Sequence, residues 1–187
     1  MLKILPKQKP YPRVWYGVHT VESAHRAAKR GWQTINLDLA HEARECNIAF
    51  RQVWKEVQGD APLPLMGLGR FIFVAETDEK ALEIARRGYP AWHRGFTHLF
   101  RILGRMNRHP RPDNWDELAR QGKGICGSPA TVAAQLSEQL TTSQCNYCVG
   151  QFAFGDLSFE EMQRSVSLFA SEVMPQLRKL DVLAQAA

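Results

Sequence analysis

The chain has 187 residues, enough for one domain with a sizeable core, and its apolar share of 44% is that of an ordinary soluble globular protein. Its net charge of +5 comes from Lys and Arg spread along the sequence. With no dense basic run interleaved with aromatics, this argues against nucleic acid and suits a phosphorylated small ligand. No apolar run approaches the ~20 residues of a membrane span, and four cysteines without disulfide-like spacing, on a chain with no signal-peptide pattern, point to a reduced, cytoplasmic protein.

Residues 1–12 read as an extended, Pro-punctuated lead-in. "RVWYGV" (13–18) is a short run of β-formers and predicts a buried strand. A helix follows from Val21 to Arg30, with Ala24, Ala27 and Ala28 on one face and Gly31 as its stop. "QTINLD" (33–38) predicts a second strand. Residues 41–57 form an amphipathic helix with Ala43, Cys46, Phe50, Val53 and Val57 on its apolar stripe. "GDAPLPLMGLG" reads as a loop and "RFIFVAET" (70–77) as a strand, after which Thr77 and Asp78 cap the helix "DEKALEIARR". Trp92, Phe96, Phe100 and Leu103 mark a further helix.

The segment 88–127 is longer than connectivity requires and reads as an insertion or lid, with one short helix at 113–120. Arg105, Arg108, His109 and Arg111 cluster there, either as a clamp for an anionic substrate or as a solvated loop. Ser128 and Pro129 start the next helix as cap and first helical residue. "NYCVGQFAF" (146–154) predicts the fourth strand. Ser158 with Glu161 makes a capping box for the last helix, with Met162, Val166, Phe169 and Val173 as its buried stripe, Pro175 as its end and 178–187 as a tail.

Strands alternating with helices imply βαβ units and a parallel sheet, with ligands at the carboxyl ends of the strands. "GVHTVES" (17–23) is a loop at such an end. Thr20 is placed as N-cap and Ser23 at the third helical position, beside free amides whose dipole attracts an anion. The same residues also make an ordinary capped start, and Glu22 opposes an anion. "CNYC" (145–148) is no metal motif: in a strand, residues three apart face opposite sides, and no second pair has zinc spacing. The histidines do not converge, and "GSPAT" lacks the glycine of a nucleophile elbow. Asp38 and Glu76 end two strands and could either reach the rim or cap the next helix.

"PKQKPYPRVWYGVHTVESAHRAAKRG" resembles the middle of luciferase-like, flavin-dependent monooxygenases. "GICGSPATVAAQLSEQL" followed by "NYCVGQFAFGDLSFEEMQRSVSLFASEVMPQL" resembles their end, the more specific match in order and spacing. The resemblance runs from about Pro6 to Leu177 and is weakest over 88–122. It implies a single domain of α/β class, a (β/α)8 TIM-barrel type that is incomplete. Its four strands (14–18, 33–37, 70–76 and 147–152) would be the fifth to eighth, since 187 residues cannot supply the ~250 of a full barrel.

The resemblance further implies a bacterial-type monooxygenase in which reduced FMN, supplied by a separate flavin reductase, uses oxygen on a small organic substrate. Carried over by position, His19, Thr20 and Ser23 would contact the flavin phosphate, with Arg105, Arg108 and His109 in a substrate lid. No catalytic acid or base is identified, because the residues flanking the flavin ring lie largely in the other half. Two alternatives accompany this reading. One is a non-catalytic half-barrel, flavin-binding or accessory, that assembles as a homo-oligomer or with a complementary half-barrel, or a truncated product. The other is a deazaflavin-dependent oxidoreductase on the same barrel.

Overall fold

The computed structural model describes residues 7–105, 107 and 110–180. The first half of the lead-in, the end of the tail, and Arg108 and His109 lie outside the described residues. In chain order the elements are β1 (Trp15–Gly17), α1 (Val21–Lys29), β2 (Gln33–Asn36), α2 (Ala40–Gln58), β3 (Met66–Val74), α3 (Asp78–Ile102) and α4 (Trp115–Arg120). There follow β4 (Gly124–Gly127), α5 (Pro129–Ser143), β5 (Tyr147–Gln151), α6 (Phe159–Leu168), a π-helical turn (Phe169–Val173) and α7 (Met174–Leu177).

Local chemistry fixes most helix starts. Thr20, Thr77, Asn114, Ser128 and Ser158 are N-caps whose side chains each accept an amide hydrogen bond from the first turn. Asp78 does more than begin α3. Its carboxylate accepts from the Ser128 amide (2.6 Å) and the Thr131 hydroxyl (2.9 Å), so it also secures the start of α5. Those bonds hold its carboxyl below the ordinary value.

All strand pairs are parallel. β3 is the hub. Its residues 66–68 pair with β2, 71–74 with β4 and 67–71 with β5. Because β5 overlaps both other ladders, it takes one edge of β3, and β2 and β4 share the other. The hydrogen bonds agree: the Leu65 carbonyl faces β2, and the Phe71 and Ala75 amides face β4, all at odd positions of the strand. The strand path β1-β2-β3-β5 is therefore a run of consecutive parallel βα units, the barrel is not closed, and the outer edges of β1 and β5 carry no partner strand among the described residues.

The step from β3 to β4 reverses the direction in which strands are added. Right-handed crossovers then require its helices to lie on the opposite face of the sheet from α1, α2 and α5. The packing follows this rule. Even-numbered β3 residues meet one layer: Met66 lies in the cluster with α1 and α2, Leu68 with Ala43 and Leu140, and Ile72 and Val74 with Val132, Leu136 and Leu168. Odd-numbered Phe71 and Phe73 meet α3 and α4 through Ala81, Ala85, Tyr89, Trp115 and Leu118. Phe71 is central there, with Tyr89, Trp92 and Phe154 edge-on at 4.6–5.5 Å. Gly155, at φ +64°, lets the chain after β5 press on Gly88 of α3; a Cβ there would overlap the Gly88 carbonyl.

Several expectations change. A fifth strand, β4, joins the four expected, and β3 begins at Met66, so "MGLG" is strand rather than loop. Residues 88–102 continue one helix of 25 residues through Pro90, so the long excursion begins inside a helix. Val57 and Val166 are exposed; of the expected stripe on the last helix Val173 is buried and Met162 and Phe169 are partly buried, while Ser165 and Leu168 are buried in addition. The two sulfurs of "CNYC" do not face opposite sides. Cys145 precedes β5, and both cysteines pack in the same cluster beside Leu68 and Leu140. All four cysteines are free. Among the described residues there is no metal-holding cluster and no helix long and apolar enough to cross a membrane.

Candidate functional site

In an open parallel sheet, the point where strand order reverses leaves a crevice at the carboxyl ends of the strands, and ligands bind there. Here that point is the fissure between β2, which leaves β3 after Leu68, and β4, which joins at Phe71. The fissure exposes the Gly69 carbonyl, which neither ladder uses. Arg70 fills the gap. It is 3% exposed, and its guanidinium donates to the Gly69 carbonyl (2.7 Å), the Asp38 carbonyl (3.0 Å) and Gln139 Oε1 (2.6 Å). A side chain thus supplies the donors that a neighbouring strand would have supplied. Burial lowers the Arg70 pKa to about 10, which leaves it charged at neutral pH.

The loop after β2 is fixed around this guanidinium. Asn36 donates to the Val18 carbonyl (2.9 Å) and accepts from the Asp38 amide (2.7 Å). That places the Asp38 carboxylate 2.8 Å from His19 Nδ1, at the end of β1. His19 and Asp38, two rim residues read from the sequence, therefore meet. Glu76, also at the rim, instead binds Lys80 (3.1 Å) and Arg164 (2.9 Å), which hold its carboxyl down at about 2.

The start of α1 forms as expected and in more detail. Thr20 Oγ1 accepts from the Ser23 amide (3.2 Å), while Ser23 Oγ accepts from the amides of His19 and Thr20 and donates to the Thr20 carbonyl (2.7 Å). Ser23 is thereby committed to shaping the loop. The open donors of this turn are the amides of Val21 and Glu22 and the Thr20 hydroxyl proton. A cavity of about 320 Å³ lies against them, lined by His19, Thr20, Val21, Asp38, Glu42, Glu45 and Cys46. Three carboxylates on that wall oppose the pull of the helix dipole on an anion.

Two further cavities adjoin. One of about 260 Å³ is bounded by His19, Leu37, Asp38, Glu42, Pro110, Arg111 and Lys123. The other, of about 440 Å³, sits on the odd-residue face of the sheet. Ile35, Gly69 and Val149 floor it, Phe71, Trp92 and Phe96 wall it, and Leu37, Arg111 and Lys123 stand at its mouth. Leu37 folds over Gly69, where a Cβ would collide with it. Trp92 and Phe96 stack at 4.8 Å, continuing the aromatic row from buried Tyr89 along α3. Burial lowers the Lys123 pKa below 10.5, and nearby Arg111 lowers it further.

Arg111 lies on this wall; Arg105 is exposed beyond the end of α3 and lines none of these three cavities. Sequence reading missed Arg70 and Lys123. Their signals are a lone cation inside the apolar run "MGLGRFIFV" and a lysine between two glycines.

No protein-family model matches the chain. It is 28% identical over 178 residues to an uncharacterized protein, y4wF, of Sinorhizobium fredii; the alignment covers 94% of this chain and 52% of that protein. Its fold is shared with monooxygenase RslO1 from Streptomyces bottropensis (TM-score 0.71, 19% identity, covering 90% of this chain and 49% of that one). It is shared too with the oxygenating constituent of 3,6-diketocamphane monooxygenase of Pseudomonas putida, a type II Baeyer–Villiger monooxygenase in complex with FMN (0.64, 16%, 88% and 49%). The coenzyme F420-dependent tetrahydromethanopterin reductase of Methanopyrus kandleri is a third neighbour (0.56, 11%, 87% and 50%). The chain spans about half the length of each of these proteins.

Proposed function

We propose that this chain is the second half of a luciferase-like barrel that binds reduced flavin, delivered by a separate reductase, and directs oxygen onto a small organic substrate. The observation that carries the reading is the site's position. The chain's fold covers about half of two monooxygenase chains, one in complex with FMN, with the donor-bearing start of α1 at the carboxyl end of β1 and the aromatic cavity on the odd-residue face of the same sheet.

The residues at the start of α1 fit a phosphate in donor set. The Val21 and Glu22 amides and the Thr20 hydroxyl would hold it, Ser23 would keep the loop in shape, and His19, tied to Asp38, would flank it. Bound reduced flavin supplies the electrons that activate oxygen. The protein's share is to orient the cofactor and keep water from the reacting centre, for which Phe71, Trp92 and Phe96 provide apolar walls. A deazaflavin in place of FMN remains the same reading of the site with hydride transfer as its chemistry, favoured by the F420-dependent neighbour.

The test is Val21→Pro. Proline is well tolerated at a first helical position, and Thr20 already has the extended backbone (φ −144°, ψ 156°) that a following proline requires. The substitution deletes one phosphate donor and leaves the helix intact. FMN affinity, measured by fluorescence, should fall about tenfold while riboflavin, which has no phosphate, binds as before. Absence of FMN binding to the unaltered chain would refute the cofactor reading.

A second reading has its own support. Below Phe71 the odd-residue face has an exposed edge: Trp15 is 41% exposed and Tyr147 44%, and the outer edges of β1 and β5 carry no partner strand among the described residues. Parallel sheets are ordinarily covered on both faces. We infer that a second copy or a complementary half-barrel covers this region.

A further inference from the structure

Two cations at the fissure have no direct ion partner among the described residues, although Asp38 and Glu42 share one of their cavities. Among the described residues, the side chains of Arg111 and Lys123 make no hydrogen bond or ion pair. The nearest carboxylates are already engaged: Asp38 with His19, and Glu42 with the Leu39 amide at 2.9 Å. Arg70, the third cation, spends its donors on carbonyls and Gln139. Both free cations are half-buried, and both line the two cavities that meet here, one polar and one aromatic. Holding two unpaired cations partly out of water is unfavourable, and a bound anion removes that cost.

The aromatic cavity sets the rest of the ligand. Its volume of about 440 Å³ falls in the range for small molecules, and apart from the cations and Gln151 its side chains are apolar or aromatic. The backbone carbonyl of Arg111 contacts His93 Nε2 at 3.1 Å, which ties the mouth to α3 and so to the Trp92–Phe96 wall.

We propose that this cavity binds a small apolar acid, a carboxylate or sulfonate whose head sits between Lys123 and Arg111 and whose hydrocarbon or aromatic body lies against Phe71, Trp92 and Phe96. The identification of that acid as the substrate class rests on the oxygenase reading above; the binding site itself does not.

The experiment is calorimetric titration of the chain, without flavin, with 2-naphthoate and with its neutral amide. The acid should bind about tenfold more tightly than the amide. Lys123→Met and Arg111→Met should each bring the acid close to the amide's affinity, at unchanged melting temperature. Trp92→Ala should weaken both compounds alike. Equal affinity for acid and amide, no binding of either, or acid binding that survives the double substitution would overturn the proposal.

A parallel FMN titration separates the two claims. Displacement of naphthoate by FMN would assign the cavity to the cofactor and overturn the substrate class. Acid-selective binding in a chain that takes up no flavin would leave the anion site standing and remove the oxygenase reading.

Discussion

The two faces of the sheet are built to different degrees of completion. Against the even-numbered side of β3 lie α1, α2, α5 and α6, and Leu68, Ile72 and Val74 are each 1% exposed or less. Against the odd-numbered side lie α3, α4, Phe154 and Leu157 of the chain after β5, and Met162 of α6, packed around Phe71 and Phe73 at the upper end of β3. Below Phe71 the face is floored by Gly67, Gly69 and Val149 and edged by exposed Trp15 and Tyr147, whose rings lie 5.6 Å apart. Both faces hold core: Tyr89, Trp115 and Leu118 on the second are buried as fully as Ile72 on the first. Only the lower part of the second, below Phe71, combines the aromatic cavity with exposed side chains, and that part is where change should cost binding rather than folding.

Ile72→Ala against Val149→Ala is the sharpest way to break that distinction. The first removes a side chain enclosed by Val132, Leu136 and Leu168 and should cost about 2–5 kcal/mol in urea unfolding; the second should cost less than about 1 kcal/mol. Equal losses would mean that the lower part of the odd face is as well packed as the other. A smaller effect is expected from Val149→Glu. It places a charge on the lower part of that face and should lower the mass found by sedimentation equilibrium if a second copy covers it, with the melting temperature little changed. An unaltered mass distribution would remove the self-assembly reading.

The smallest effect concerns the rim. The Glu76 carboxyl, held at about 2 by Arg164 and Lys80 against an ordinary 4.5, is depressed in the folded state, so its contribution is full above pH 4.5 and is lost as pH falls toward 2. The group is exposed, so Glu76→Gln should flatten the acid limb of the stability profile only slightly.

Much of the well-covered face was legible in the sequence, because its signals are local. Ala24, Ala27 and Ala28 are wholly buried at the expected spacing, and Thr20, Ser128 and Ser158 cap the helices they precede. β4 was not legible. "GICG" has two glycines in four residues and no alternation, and it is a strand only because β2 leaves an edge of β3 unpaired. α3 passes through Pro90 because Tyr89, fully buried among Phe71, Trp92 and Trp115, anchors the turn where the proline sits. In the candidate site, the capped loop at His19, Thr20 and Ser23 could be read from its residues. The cation pair could not, since Lys123 and Arg111 meet only through the reversal of strand order.

The Arg70 guanidinium has a consequence for how this chain tolerates change in length. By bonding Gly69, Asp38 and Gln139 at once, it welds the end of β2, the middle of β3 and the helix after β4 into one joint, and Gln139 also donates to the Gly122 carbonyl (2.9 Å) just before β4. Residues can be added to or taken from 103–114 without moving that joint. Relatives with shorter or longer connections there would keep the same floor under a different mouth, and a lysine at position 70, with one nitrogen in place of three, could not hold it.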